Sequence, residues 1–475
     1  MGFGHRIGDT LRLTGRGLRR LVLVLVVLSL AAGLGTTVAL TAPSLLTKLG
    51  LPVIGGAEPP PTQLRPGLVP LGSSAPTPTG PGVAAVLDRL IAAGGLGRFG
   101  GTVLDADTGQ VLWSRDESRA LVPGSTAKLL TGAAALLALP PTQRLSTRVV
   151  AGPTPDSVVL IGAGDPTLSA LPTGKVSVYP GAPRLDALAD AVRAASAMPV
   201  KTVLYDVSRY TGDALASGWL PADVPGGFVA PIVPTMLDGG RIDPTEQDGS
   251  RLAMPARAVA QGLAQRLGAA TDTVNLGTAP AGAAVLGEVT SVPVSELVEQ
   301  MLRNSDNVLA EVLAREVAVA RGGEGSFAGG ARAVLDVLTK AGFDVGGVVI
   351  SDGSGLSTLD QMPARLLAQL LAAAAGPSRG PEQGAQLRVL AAGLPVAGGD
   401  GTLDDRFAAG PTVAGRGFVR AKTGTLNGVT SLAGLVSTAD GRLLVFALMS
   451  NGASPAEARP RLDAMATALH NCGCR

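Results

Sequence analysis

Histidine is nearly missing from this chain. In 475 residues only His5 and His470 occur, one near each end. A Ser-His-Asp triad needs an imidazole inside the folded body, and catalytic zinc sites lean on histidine ligands. Histidine-assisted serine hydrolysis and histidine-based metal chemistry are therefore set aside. Cysteine is as scarce: Cys472 and Cys474 flank a single glycine, with no second pair to complete a zinc site. They can close on each other, bond to another chain, or form a tail without function. Aromatic residues make up 3%, too few for a surface that stacks nucleobases. Lys+Arg 39 against Asp+Glu 37 leaves a net charge of +2, so nothing in the charge balance points to nucleic acid. Lysine is the rare base, six against 33 arginines, and each lysine is correspondingly informative.

The chain is rich in apolar residues, at 46%, and in Gly 65 and Pro 35. Residues 1–20 carry Arg6, Arg12, Arg16, Arg19 and Arg20 against one acid, Asp9. Leu21 to Leu40 then runs without a charge, long enough for a helix to span a bilayer. Residues 21–42 are read as a transmembrane anchor or signal segment, with the basic segment on the cytoplasmic side. Thr37-Val38-Ala39 passes as a cleavage site, so an uncleaved anchor and a cleaved signal both stand. Residues 43–82 hold Pro52, Pro59, Pro60, Pro61, Pro66, Pro70, Pro76, Pro78 and Pro81, a density that disfavours helix and sheet and reads as an extended linker. The chain from residue 83 onward is expected on the extracytoplasmic face of the membrane, or secreted if the signal is removed.

Val83 to Ala93 has helical periodicity, and Gly101–Leu104 and Gln110–Trp113 read as strands around a turn at Asp107-Thr108-Gly109. Thr126–Leu139 is an almost wholly apolar helix. Strands are expected at Gly428–Val436 and Arg442–Met449, and a closing helix at Pro455–His470. Helix and hairpin first, hairpin and helix last, predict one α+β domain built from both ends of the chain, residues 83–150 and 290–475. The stretch 151–289 is dense in turn signals and reads as an inserted accessory domain. Gly95-Leu-Gly97-Arg-Phe-Gly100 fits a dinucleotide fingerprint in letters only, because it comes after a helix and precedes a strand, the reverse of what that site requires.

Three short motifs occur in order: Ser125-Thr-Ala-Lys128, Ser305-Asp306-Asn307 and Lys422-Thr423-Gly424. Two of the six lysines fall in this series. Their order matches serine β-lactamases and penicillin-binding proteins, and chemistry explains the residue types. Ser125 enters a helix whose N-terminus favours negative charge on its oxygen. Lys128, three residues on, shares that face and serves as general base when burial and a neighbouring cation such as Lys422 keep it neutral. Ser305 relays protons toward the leaving group and Asn307 holds a substrate amide. Lys422 and Thr423, on an edge-facing strand, suit the grip of a carboxylate. Gly424 lets substrate approach the backbone as an added strand. The N–H groups of Ser125 and Thr425 supply an oxyanion hole. Asp306 reads as structural.

The chain resembles the class C low-molecular-mass penicillin-binding proteins, the D-alanyl-D-alanine carboxypeptidase/endopeptidase family. Beyond the three motifs, the resemblance is carried by Ile161-Gly-Ala-Gly-Asp165-Pro-Thr-Leu168, by Asp352-Gly-Ser354-Gly-Leu356-Ser357, by Leu394-Pro-Val-Ala-Gly-Gly-Asp400-Gly-Thr-Leu403 and by Val419-Arg-Ala-Lys422-Thr-Gly-Thr-Leu426. It covers about residues 83–465. It implies a penicillin-recognising serine-transferase fold, an antiparallel sheet flanked by helices, with extra domains in the long segment between Ser125 and Ser305. It also implies an extracytoplasmic serine D,D-peptidase that cleaves at D-Ala in peptidoglycan stem peptides through an acyl-enzyme on Ser125, is acylated by β-lactams, and needs no cofactor or metal. A β-lactamase of the same fold and a catalytically silent wall-binding scaffold are the alternatives. Asp165, Asp352, Asp400 and Arg406 are near enough to motif segments to line a cleft, but acidic residues beside glycine more commonly bond loop N–H groups.

Overall fold

The computed structural model describes residues 75–377 and 380–474. The segments 1–20 and 21–42, and the linker 43–82 as far as residue 74, lie outside the described residues. Among the described residues no helix is long and apolar enough to cross a membrane.

The body opens with helix α1, Gly80–Ala92. It begins three residues before the expected Val83, inside what was read as linker, because Thr79 Oγ1 accepts from Gly82 N at 3.2 Å and Pro81 sits in the first turn, where proline costs no hydrogen bond. Strands β1 (Arg98–Asp105) and β2 (Val111–Arg115) form the first hairpin. Near the other end, β10 (Val419–Leu426), β11 (Val429–Ser437) and β12 (Leu443–Asn451) form a meander. The two groups join through β1 and β12, giving one antiparallel sheet of order β10-β11-β12-β1-β2. The middle strands are apolar on both faces. In β12, Leu444, Phe446 and Leu448 pack with α1 and the closing helix Pro455–His470, while Val445, Ala447 and Met449 pack into the helical core on the other side. A central strand covered on both faces reads as a continuous apolar run, which is why 443–451 shows no alternation.

The helical core is built around α2, Lys128–Ala138, whose residues are buried from Lys128 to Leu136. The expected helix from Thr126 is corrected at its start: Gly124–Ala127 form a 3-10 turn, and the α-helix begins at Lys128. Gly124 has φ +55, and a Cβ there would press on Thr425 N at 3.2 Å and on the Gly424 backbone at 3.3 Å. A positive φ at that point bends the chain too sharply for α-helix to start there.

Besides the short pair of β3 (Ala120–Leu121) and β9 (Met362–Pro363), a second sheet has the order β7-β6-β5-β4-β8, from β4 (Arg144–Ala151), β5 (Ser157–Gly162), β6 (Thr202–Asp206), β7 (Asn275–Leu276) and β8 (Val285–Pro293). Helices α3, Leu185–Ala195, and α4, Pro255–Leu267, cover it through Leu188, Val192, Val259 and Leu263. β4 begins at Arg144 and β8 ends at Pro293, so the second sheet starts and finishes outside the 151–289 stretch read from turn density. β8 leads directly into α5, Val294–Asn304, and, after two residues, α6, Asn307–Ala320.

A buried ion pair ties β1, from the first hairpin, to the turn that leads into β12. Arg442 Nε and Nη2 donate to Asp105 at 2.5 and 2.7 Å, with Asp105 fully buried. Asp105→Ala leaves the guanidinium with only Asp107 at 3.0 Å. It is expected to lower the unfolding free energy by about 3 kcal/mol, measured by denaturant titration.

Candidate active site

Ser125 sits in the 3-10 turn and Lys128 is the first residue of α2. The Lys128 side chain is fully buried and its Nζ has three partners: Ser125 Oγ at 3.0 Å, Asn307 Oδ1 at 2.5 Å and the Ser354 carbonyl at 2.8 Å. Burial lowers its pKa to about 8, against the opposing pull of Asp352, Glu311, Asp306 and Asp360.

Ser305 and Asp306 are the whole connection between α5 and α6. Ser305 has φ 56, a left-handed conformation unusual for a residue with a side chain. Asp306 caps α6 by accepting from Leu309 N at 2.9 Å. This sharp corner turns Asn307, at the start of α6, toward Lys128.

The third motif lies on β10, the edge strand of the first sheet. Its outer edge is covered at the start, where Ala397 N donates to the Val419 carbonyl and Ala421 N to the Pro395 carbonyl, both near 3 Å. Backbone groups on a strand alternate in direction, so those of Thr423 and Thr425 point the same outward way, where that cover has ended. A Cβ on Gly424 would overlap Ser431 Oγ and the Pro123 carbonyl and stand 3.1 Å from Ser125 N. Glycine therefore permits β10 to cross against the turn that carries Ser125. A Cβ on Gly124 would likewise stand 3.2 Å from Thr425 N, so the N–H groups of Ser125 and Thr425 lie at the same crossing.

Ser125, Ser305, Asn307 and Thr425 line a cleft of about 790 Å³, together with Phe228, Leu220 and Asp248 from the segment between β4 and β8. A smaller recess of about 250 Å³ brings Thr423, Arg406 and Arg459 beside Ser125 and Ser305. Lys422 lines neither. Its fully buried amine donates to the Thr423 carbonyl at 2.8 Å. Its pKa is pushed well below the ordinary lysine value by burial first, then by Lys128 and Arg406. The direct grip of Lys422 on a carboxylate is thus corrected to an amine held behind the strand, outside both cavities, with Thr423 lining the recess.

The acids weighed for the cleft are occupied by loops. Asp352 accepts from Ser354, Gly355 and Ser357 N and from Trp219 Nε1, all within 3.1 Å. Asp165 accepts from Thr167 N and Oγ1. Asp400 accepts from Val396 N, and Arg406 pairs with Asp463. Sequence reasoning missed Glu311, buried on α6 one turn after Asn307, whose Oε2 accepts from Gly353 N at 2.7 Å. Burial, then Asp352, raises its pKa to about 8. The one-turn spacing from Asn307 was the available signal. His470 stacks on Phe418 and lines neither cavity. Cys472 and Cys474 are paired with each other, and the Cys474 carbonyl accepts from Thr79 N at 2.6 Å.

The model of the D-Ala-D-Ala carboxypeptidase 3 (S13) family matches residues 83–253 and 245–472. The chain belongs to this family. A carboxypeptidase of Mycobacterium tuberculosis is 44% identical over 422 residues, covering 88% of this chain and 90% of the relative. Carboxypeptidase DacB of Mycolicibacterium smegmatis is 45% identical over 421 residues, with the same shares. Penicillin-binding protein 4 (dacB) of Haemophilus influenzae shares the fold, with a TM-score of 0.66 at 22% identity over 82% of this chain and 98% of that one. As a family member the chain is a serine-type D-Ala-D-Ala carboxypeptidase, the enzyme class that the family resemblance implied.

The close crossing at Gly424 gives a stability prediction. Gly424→Ala forces β10 away from the Ser125 turn and is expected to cost about 1–3 kcal/mol, the range for overpacking a tight site, read from the denaturation midpoint.

Proposed function

We propose that this S13 carboxypeptidase removes the terminal D-Ala of peptidoglycan stem peptides through an acyl-enzyme on Ser125, with Lys128 as its base. The observation that carries the assignment is the set of partners around Lys128 Nζ. Two of the three, the Asn307 amide oxygen and the Ser354 carbonyl, can only accept hydrogen bonds. A neutral amine has two N–H groups and one lone pair. The two acceptors take the N–H groups, and the lone pair is left for the Ser125 hydroxyl proton.

The reaction balances in two halves, acylation and hydrolysis. Lys128 takes the proton as Ser125 Oγ bonds to the carbonyl carbon of the penultimate D-Ala. Negative charge on the carbonyl oxygen is met by the N–H groups of Ser125 and Thr425. The C–N bond breaks, and the proton passes from Lys128, by way of Ser305, to the departing D-Ala amine. Water then attacks the ester carbonyl and gives a proton to the same base; the bond from that carbon to Ser125 Oγ breaks, the proton returns to Oγ, and the shortened stem peptide leaves as a carboxylic acid. The outward edge at Thr423–Thr425 receives the stem peptide as an added strand, and the Asn307 region holds its amide. The recess beside Thr423, lined by the guanidinium groups of Arg406 and Arg459, receives the terminal carboxylate. A β-lactam enters by the same attack on its ring amide.

We also infer that the body works outside the cytoplasmic membrane, where this substrate lies, anchored through residues 21–42 or secreted if that segment is cleaved. The accessory region is drawn at 144–293 rather than 151–289, so that it holds the whole second sheet, and the peptidase proper takes the residues on either side.

Intact-mass measurement of the full chain after benzylpenicillin treatment tests the nucleophile. One equivalent is expected on wild type and none on Ser125→Ala; labelling of the variant, or none on folded wild type, overturns the proposal. The pH dependence rests on Lys128. Its amine must be neutral, and with its pKa near 8 only about a tenth is neutral at pH 7. The acylation rate constant is expected to climb about tenfold per pH unit below this value and to level above it. A flat profile from pH 6 to 9 in stopped-flow acylation would remove Lys128 from the role of base.

A further inference from the structure

The segment between β4 and β8 does more than wall the cleft. It touches the machinery at the corner between α5 and α6 and at the loop beneath Lys128. Tyr179 is buried, and its hydroxyl donates to Asp306 Oδ2 at 2.8 Å. Arg241, with its side chain fully buried, donates to that hydroxyl at 2.8 Å and to Asp306 Oδ2 at 3.2 Å. Burial works to raise the Asp306 carboxyl, but Arg241 and Arg251 hold it below its ordinary value, so it remains an anion that both donors can grip. The Phe228 carbonyl accepts from Asn307 Nδ2 at 2.8 Å. Trp219 Nε1 donates to Asp352 Oδ2 at 2.7 Å, and the Ser217 carbonyl accepts from Ser357 Oγ at 2.7 Å.

These contacts act on features that would not persist unaided. Ser305 is held left-handed in a two-residue corner, a conformation that costs on the order of 1–3 kcal/mol and lasts only when its surroundings impose it. Asn307 has an amide that can face either way. Because the Phe228 carbonyl can only accept, it draws Nδ2 to itself and leaves Oδ1 for Lys128. That orientation is what makes Asn307 an acceptor toward the lysine.

We propose that the β4–β8 segment is a positioning element of the peptidase reaction: Tyr179 and Arg241 fix Asp306, the Phe228 carbonyl sets the Asn307 amide, and Trp219 fixes the Asp352 loop, so that both acceptors facing Lys128 are held from outside the sheet and helices that carry the three motifs. This rests on the assignment of Lys128 as base. Tyr179, Arg241 and Trp219 do not line the cleft, so their effect on rate travels through Asp306, Asn307 and Asp352 rather than through contact with substrate.

The test compares full-length wild type, Tyr179→Phe and Trp219→Phe, with Arg148→Ala as control. Arg148→Ala removes an exposed ion pair to Glu288 across β4 and β8. Stopped-flow acylation by benzylpenicillin separates the binding constant K from the acylation step k2, and thermal melting reports folding. In the two aromatic variants k2 is expected to fall about tenfold or more, as for small misplacements of reacting groups, with K unchanged and the melting transition close to wild type. The control keeps both constants. Two folded variants with wild-type k2 overturn the inference, as does a loss confined to K. Should Tyr179→Phe fail to fold, Trp219→Phe, which gives up one hydrogen bond to Asp352, decides in the same way. Failure of wild type itself to be acylated is a distinct outcome and would overturn the reading of Ser125 and Lys128 instead.

Discussion

An amine buried without any exposed surface is the constraint around which this molecule is arranged. A lysine placed in a protein interior must either find enough hydrogen-bond acceptors to remain charged or give up its proton. Lys128 is balanced between these. Its three partners satisfy an ammonium, and the same three, two of them obligate acceptors, leave a neutral amine with a single direction for its lone pair. Each partner comes from a different part of the chain: the 3-10 turn, the first residue of α6, and the Asp352–Ser357 loop. Holding all three around one nitrogen requires the helical core, the first sheet and the segment between β4 and β8 to be assembled together.

The same requirement explains the glycines at the centre. β10 must cross the Ser125 turn closely enough for the Thr425 and Ser125 backbones to meet, and Gly124 and Gly424 occupy the two sides of that crossing. Ser431 Oγ bonds to the Pro123 carbonyl at the same place, so the sheet grips the turn by hydrogen bonds as well as by fit. Buried carboxyls complete the setting. Glu311 and Asp360 are both raised by burial first and then by Asp352, which keeps the region behind Lys128 from accumulating three negative charges.

Much of this was legible in the sequence because it is local. Ser125 and Lys128 are one helical turn apart, and Ser305 and Asn307 are adjacent to the same corner. Pro455–His470 carries its own start signal in Ser454, whose side chain accepts from Glu457 N. The apolar runs of β11 and β12 announced buried strands. Three things did not show. The inward fold of the Lys422 amine depends on the path of the strand relative to Thr423. The 3-10 start of α2 depends on the neighbouring sheet. The pairings of Tyr179 with Asp306 and Trp219 with Asp352 join residues 127 and 133 positions apart, and no periodicity records such a partner.

The strand order has a consequence in time as well as space. β1 lies between β2 and β12, and Arg98 pairs with Asn451. A ribosome delivers Ser125 long before β10 to β12. Until those strands arrive, β1 has one neighbour, the Ser125 turn has nothing to press against, and Lys128 has no reason to be dry. The nascent chain therefore carries Ser125 for a long interval without the surroundings seen in the folded body, and gains them only when β10 to β12 close the sheet.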